Sequence, residues 1–274
     1  QPTGMRRVER LTTHRIIEEF MLAANEAVAS HLTEKQRPLL YRVHERPDET
    51  SISRLAARLS LLGLRLPREG ALREPSALAA VVNKARGKPF ERIANIMVLR
   101  AMAQARYAAE QAIHFGLASQ CYTHFTSPIR RYPDIVVHRA LGATLGVNVG
   151  DAEKAASLPQ LGVDCSQSER RSMEAERDVT RAAGVMIMAG HVGDSFQGTI
   201  TSVERFGFFV ELDEMFVDGL VPLGRLEEYY EFHRERLELV SRSSGRTFKI
   251  GQRLTVRVAS AELGERSLEL EPLD

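Results

Sequence analysis

His124-Phe125-Thr126-Ser127-Pro128-Ile129-Arg130-Arg131-Tyr132-Pro133-Asp134 sets two arginines, a histidine and several hydroxyls around two prolines. Proline fixes its own φ and drives the residue before it into extended geometry, so Ser127-Pro128 reads as a helix N-cap and first helical position. Free backbone N–H groups at such a helix start favour anions, and Arg130 or Arg131 adds a forked, permanently charged guanidinium. Two readings stay open on the residues alone: a grip for a phosphate, or a surface turn with solvated arginines.

Upstream, a helix is predicted from about Thr13 to His31. At about 100° per residue, Ile16, Ile17, Phe20, Met21, Ala24, Ala27 and Val28 form one apolar stripe, with Glu19 and Glu26 on the opposite side. Glu18 and Asn25 fall together at the edge of the stripe, where a carboxylate and an amide can meet a ligand in a cleft. A part-buried Glu18 paired with a nearby arginine is the plainer alternative. Further helices are expected over Arg54 to Leu62, ended by Gly63 and Pro67, and over Ser76 to Arg86, with Ser76 as N-cap and Gly87 just past the end. Pro89 then opens a longer Ala/Met-rich helix to about Ala112, whose methionines read as core. After the anchor, helix continues over Asp134 to Leu145, and Asp164-Cys165-Ser166-Gln167 reads as a capping box starting a charged helix through Arg181. Glu176 lies in that helix among Glu169, Arg170, Arg171, Glu174 and Arg177, where ordinary i,i+4 pairing is the simplest role.

From Gly193 the texture turns to short β-rich segments, as in a five-stranded OB-type barrel. The candidate strands are Thr199 to Val203, Phe208 to Leu212, Gly219 to Pro222, Leu254 to Ser260 and Ser267 to Leu270, with a polar insertion from Glu227 to Lys249. The fold class expected is therefore α+β, a helix-rich region over 1–190 followed by an all-β barrel over 191–274. Length and a hydrophobic content of 43 % suffice for a real core across the 274 residues. The net charge of +1 hides an asymmetry: residues 1–190 carry 27 Lys+Arg against 20 Asp+Glu (+7), and 191–274 carry 10 against 16 (−6). A polyanion would accordingly be gripped by local patches in the first part. Cys121 and Cys165 form no CxxC or His/Cys cluster, which points to a reducing compartment and no zinc site. With no leader-like opening and no run near about 18 apolar residues, a soluble, cytoplasmic protein without a membrane partner is expected.

The anchor resembles the last conserved block of the ribonuclease II/ribonuclease R family of 3′→5′ exoribonucleases. Ile17-Glu18-Glu19-Phe20-Met21-Leu22-Ala23-Ala24-Asn25, Tyr41-Arg42-Val43-His44-Glu45, His114-Phe115-Gly116-Leu117 and Ala175-Glu176-Arg177-Asp178-Val179 occur in the family's order. The tail resembles an S1 RNA-binding domain, and Glu227 to Lys249 is similar to the long S1 loop of ribonuclease R. The resemblance implies an RNB catalytic domain over 1–190 and an S1 domain over 191–274, acting on single-stranded RNA from its 3′ end and releasing nucleoside 5′-monophosphates. It also implies a role for individual residues. Arg130 would neutralise charge on the scissile phosphate, with Arg131 its less favoured neighbour. Glu18, with Asn25 beside it, and Glu176 would position the last nucleotide; His44, His124 and Ser127 would contact RNA backbone or brace the site. Phe206 and Phe209 would stack on bases, which requires a bulge near Gly207, because strict alternation pairs Phe206 with Phe208 instead. One departure is Val221-Pro222-Leu223-Gly224, where S1 domains commonly carry a histidine.

The family's magnesium is held by an aspartate cluster upstream of the Ile-Glu-Glu-Phe-Met block, and no such cluster occurs here. The expectation is that the chain is the C-terminal part of the enzyme, its Mg2+ ligands and the first half of its catalytic domain supplied upstream or by another chain. The alternative is a catalytically silent RNA-binding protein or fragment that uses the S1 domain and the basic patches.

Overall fold

In the computed structural model, residues 4–5, 10–64, 74–88 and 90–273 are described. Helix α1 (Thr12–Glu34) follows the predicted periodicity, but its two halves have different surroundings. Asn25, Ala29 and Leu32 are buried, whereas Ile16, Ile17 and Phe20, the front of the apolar stripe, are exposed. The stripe is therefore corrected in its burial: its front is half or more exposed among the described residues.

The next strand, β1 (Tyr41–Val43), pairs antiparallel with β2 (Arg106–Ala108). Between them lie α2 (Glu49–Leu61), α3 (Pro75–Ala85) and α4 (Glu91–Ala101), which share a core of Ile52, Leu55, Leu59, Leu78, Val81, Ile93 and Val98. Asp48 caps α2 by accepting the Ser51 N–H at 2.8 Å, and Gly63 and Gly87, at φ +71° and +74°, turn the chain past α2 and α3. The helix expected to run to Ala112 stops at Ala101, because the non-local partner Tyr41–Val43 draws Arg106–Ala108 into a strand against its helix propensity. Pro67 and Pro89 lie outside the described residues.

Ser127-Pro128 does not open a helix. Those residues form a turn, and α5 (Tyr132–Leu145) begins after Arg131, with Pro133 in its first turn, where a missing N–H costs nothing. The predicted capping box at Asp164 is also corrected: α6 runs from Leu158 to Met188, and Asp164 sits inside it, accepting from Gln160 Nε2 at 2.9 Å. Gly162 suits close packing there, since a Cβ at that position would lie 3.0 Å from the Tyr107 carbonyl oxygen.

Beyond α6 the chain makes β3 (Ser195–Glu204), β4 (Gly207–Leu212) and β5 (Asp218–Pro222), then β6 (Tyr230–His233), β7 (Glu238–Ser241) and β8 (Thr247–Lys249), and finally β9 (Arg253–Glu262) and β10 (Ser267–Pro272). Strands β10, β5, β4, β3 and β9 close into a barrel in that order, so all five predicted strands are present. The insertion read as a polar loop is a three-stranded antiparallel sheet, β6-β7-β8. Its Tyr230, Leu239 and Phe248 join the barrel core, and Phe248 stacks on Phe208 at 4.6 Å. Alternate residues on short strands bury one apolar face, a signal that charged neighbours such as Glu231 and Lys249 mask. The protein is thus α+β, a helix-rich region followed by a β-barrel, and among the described residues no helix is long and apolar enough to cross a membrane.

The turn joining β3 to β4 depends on Gly207, at φ +149°, where a Cβ would meet the Val221 carbonyl oxygen at 2.1 Å. Gly207→Ala should destabilise the barrel by more than about 1 kcal/mol, read as a lower urea midpoint. Gly264→Ala, where a Cβ meets nothing within 4 Å, should shift stability by less than about 0.5 kcal/mol.

Candidate nucleic-acid interface

The anchor turn is organised by a carboxylate. Asp134, in the first turn of α5, is 0 % exposed, and its Oδ1 accepts from Arg131 Nη2 at 2.7 Å and from the Ser127 N–H at 2.8 Å. The Ser127 carbonyl in turn accepts the N–H groups of Arg130 (3.3 Å) and Arg131 (3.2 Å). These three amides are therefore committed within the turn, which corrects the expectation that they are free for an anion. The two arginines are also separated by this geometry. Arg131 is spent on Asp134, while Arg130 is exposed and its side chain makes no ion pair or hydrogen bond among the described residues. Ile129 beside it is 97 % exposed, so the tip of the turn projects from the surface.

Behind the turn, Asn25 is 2 % exposed and clasps the segment, donating to Tyr122 Oη at 2.8 Å and accepting the Phe125 N–H at 2.9 Å. Its amide is thus occupied in bracing. His138 stacks on Phe125 at 4.1 Å and bonds its carbonyl through Nε2 at 2.9 Å. His124 Nδ1 lies 2.9 Å from Tyr107 Oη, and the Arg42 guanidinium lies 4.7 Å over the Tyr107 ring while pairing with Glu169 at 2.7 Å. His44 is buried, its Nδ1 accepting the Gly116 N–H at 3.0 Å. Edge-to-face rings run from His44 to His114, Tyr122 and His124 at 5.2, 5.2 and 5.9 Å.

This ring cluster is kept uncharged. Burial first, then the Arg131 and Arg42 charges, lowers His124 to about 3; burial, His44 and Arg42 lower His114 to about 4. Burial also lowers His44, and it pushes Tyr107 up to about 12, so the phenol keeps its proton. Among the described residues no group of three or more His, Cys, Asp or Glu side chains converges to hold a metal ion.

The structure gathers Asn25, His124, Ser127 and Arg131 around one turn, with His44 joined through the rings. Glu18 is exposed and pairs with Arg10, not with the anchor. Glu176 is exposed midway along α6, and no ion pair joins it to the anchor among the described residues. In the barrel, Phe206 is 55 % exposed and lies edge-on to Phe209 at 6.2 Å, while Phe208 is buried on the other side. The irregularity that permits this differs from the predicted one. The register shift is on β3, between Ile200 and Ser202, and Phe206 precedes the strand, in the turn that Gly207 closes. Tyr107 and Tyr122 are neighbours of the anchor that the sequence analysis did not name, and Arg42 and Asp134 entered it only as members of quoted motifs. Only Asp134 carried a local signal, an acidic residue three positions after an arginine at a helix start.

Family and structural comparisons agree with one another. The RNB domain matches residues 1–146, and the S1 RNA binding domain matches residues 191–271. Ribonuclease R of Aquifex aeolicus is 40 % identical over 276 residues, an alignment covering 100 % of this chain and 39 % of that protein. Ribonuclease R of Escherichia coli is 39 % identical over 281 residues, covering 96 % and 34 %. The structure of Mycoplasma genitalium RNase R in complex with ribose methylated single-stranded RNA superposes with a TM-score of 0.88 at 26 % identity, over 97 % of this chain and 42 % of that one. The chain thus spans about two-fifths or less of the length of the curated relatives it matches.

The part-buried imidazoles of His114 and His124 give a signed pH dependence. Their ordinary value is 6.5, and the fold lowers His124 to about 3 and His114 to about 4, so below 6.5 the unfolded chain binds more protons. Stability is complete above that value and falls as pH drops towards the folded values, by up to about 1.4 kcal/mol per pH unit for each ring. Urea unfolding between pH 7.5 and 5 should show the decline, and His124→Gln should flatten it by about one ring's share.

Proposed function

The chain belongs to the RNB-domain family and carries an S1 RNA binding domain behind it, and from this we propose that it works as the C-terminal part of a magnesium-dependent, cytoplasmic 3′→5′ exoribonuclease that degrades single-stranded RNA to nucleoside 5′-monophosphates. The observation that carries the reading is the division between the arginines: the turn spends Arg131 internally and leaves Arg130 projecting. An uncommitted guanidinium suits the charge that builds on a phosphate under attack by water.

In this reading Arg130 meets the scissile phosphate. Glu18 and Glu176 position the last nucleotide, and Ser127 contributes only its hydroxyl, because its N–H and carbonyl are engaged. Asn25 and His44 brace the anchor from behind. Phe206 and Phe209 give the S1 barrel a stacking surface worth roughly 1–3 kcal/mol per base. The described residues do not offer a magnesium ligand set, and none of these roles passes through the ion. Its ligands would come from the first half of the catalytic domain, in the same or a separate chain, which would also cover Ile16, Ile17 and Phe20.

With the catalytic domain complete, 5′-labelled single-stranded RNA should yield a ladder shortening from the 3′ end; protection without shortening would establish a silent binder instead. Arg130→Ala should lower turnover by about 100- to 1000-fold with little change in RNA affinity, and a loss confined to binding would move Arg130 to the grip. Glu176→Ala should alter affinity or release, so a dead enzyme would refute its positioning role.

A further inference from the structure

The roles assigned above leave unused a line of contacts that runs beneath the anchor. Glu169 of α6 pairs with Arg42 of β1 at 2.7 Å, Arg42 lies 4.7 Å over the Tyr107 ring of β2, and the Tyr107 hydroxyl is 2.9 Å from His124 Nδ1. The Tyr107 backbone is fixed as well. Its N–H donates to Ser166 Oγ at 2.9 Å, and that hydroxyl donates to the Gly162 carbonyl at 2.6 Å. The phenol is therefore held at its main chain and at its ring before it reaches the imidazole.

The charges that face His124 are Arg42 from β1 and Arg130 and Arg131 from the anchor, with His114, Tyr122 and Tyr107 as its other titratable neighbours. The nearby carboxylates Asp134 and Glu169 are already paired with Arg131 and Arg42. A further positive charge on the ring would have no free carboxylate to meet among these groups. The Tyr107 hydroxyl has no other hydrogen-bond partner among the described residues, so its proton is satisfied when it donates to Nδ1, and a neutral ring that accepts there carries its own proton on Nε2.

We propose that Tyr107 and Arg42 are positioning residues that hold His124 in the Nε2–H tautomer, so that it presents an uncharged, directional donor to the RNA backbone beside the Arg130 cation. The proposal rests on the RNA-degrading reading above and refines how the strand is oriented. A neutral donor fixes the direction of a phosphate or ribose oxygen without releasing a counterion, so it adds orientation and no salt-dependent grip.

Imidazole 15N NMR on the protein with its catalytic domain complete tests the tautomer directly. The expected spectrum places the His124 proton on Nε2 in the wild type and on a mixture of both nitrogens in Tyr107→Phe. Affinity for 5′-labelled single-stranded RNA should fall about tenfold in Tyr107→Phe and in His124→Ala, and His124→Gln, which keeps an N–H donor, should return to within about threefold of wild type. The slope of log affinity on log salt should not change in any of them. A wild-type proton on Nδ1, unchanged affinity in both Tyr107→Phe and His124→Ala, or no recovery in His124→Gln would overturn the proposal; a structural role alone would lower stability without moving the tautomer. Tautomer and affinity effects in a protein that shortens no RNA would uphold this inference and sink the exonuclease reading. Efficient degradation with His124→Ala unimpaired would do the reverse.

Discussion

The buried carboxylate of Asp134 is the constraint on which the anchor depends. Removing such a charge from water costs several kcal/mol, and the cost is offset only by partners with good geometry. Asp134 finds them through Oδ1, in Arg131 and the Ser127 N–H, while its Oδ2 is buried without a hydrogen-bond partner, and its place in the first turn of α5 adds the favourable end of the helix dipole. Because the carboxylate cannot be left unpaired, the turn from Ser127 to Arg131 has little freedom. Two adjacent arginines of the same chemistry thereby acquire different duties, one buried and structural, the other presented to whatever lies outside.

A second constraint follows from the first. The anchor carries Arg130 and Arg131 and lies near Arg42, a concentration of positive charge that would repel a charged imidazole beside it. The fold answers with rings that stay neutral: His124 and His114 pack edge-to-face on Tyr122 and His44 on His114, while His124 Nδ1 meets a phenol and His44 Nδ1 an amide. Helix α6 ties this assembly to the barrel. Its first turns pack on β2 through Gly162 and Ser166, its middle is exposed, and Gly184 near its end lies against Val217 of the barrel region. A helix of 31 residues spans about 45 Å, so one rigid element relates the anchor to the stacking surface.

What was legible in the residues was local. Periodicity located α1, capping and breaker residues located α2, α3 and α5, and turn residues with β-rich runs located all five barrel strands. What failed depended on distant partners. The segment around Arg106–Ala108 is alanine-rich and reads as helix until Tyr41–Val43 claims it. The capping-box pattern at Asp164 put the start of α6 too late: Pro159 sits in the opening turn of the helix, and Gly162 allows close approach to β2. In the site, the motif order brought Asn25, His44 and His124 into view. Tyr107 and Arg42 stayed out of view because their importance arises from ring and ion-pair contacts between residues 17 to 127 positions apart.

Phe206 and Phe209 show how two sequence arguments can conflict and both hold. Alternation is a property of paired strand residues, and within β4 it is obeyed: Phe208 faces the core and Phe209 the outside. Phe206 is not bound by it, because the strand starts at Gly207 and Phe206 belongs to the turn. A backbone at φ +149° reverses the side-chain sense across Gly207, a conformation that a side chain on that residue would forbid. The extra residue near Thr201 on the opposite strand then restores the pairing. The exposed Phe206 ring and the half-buried Phe209 ring therefore lie edge-on to one another beside one glycine and one bulge, placed on different strands.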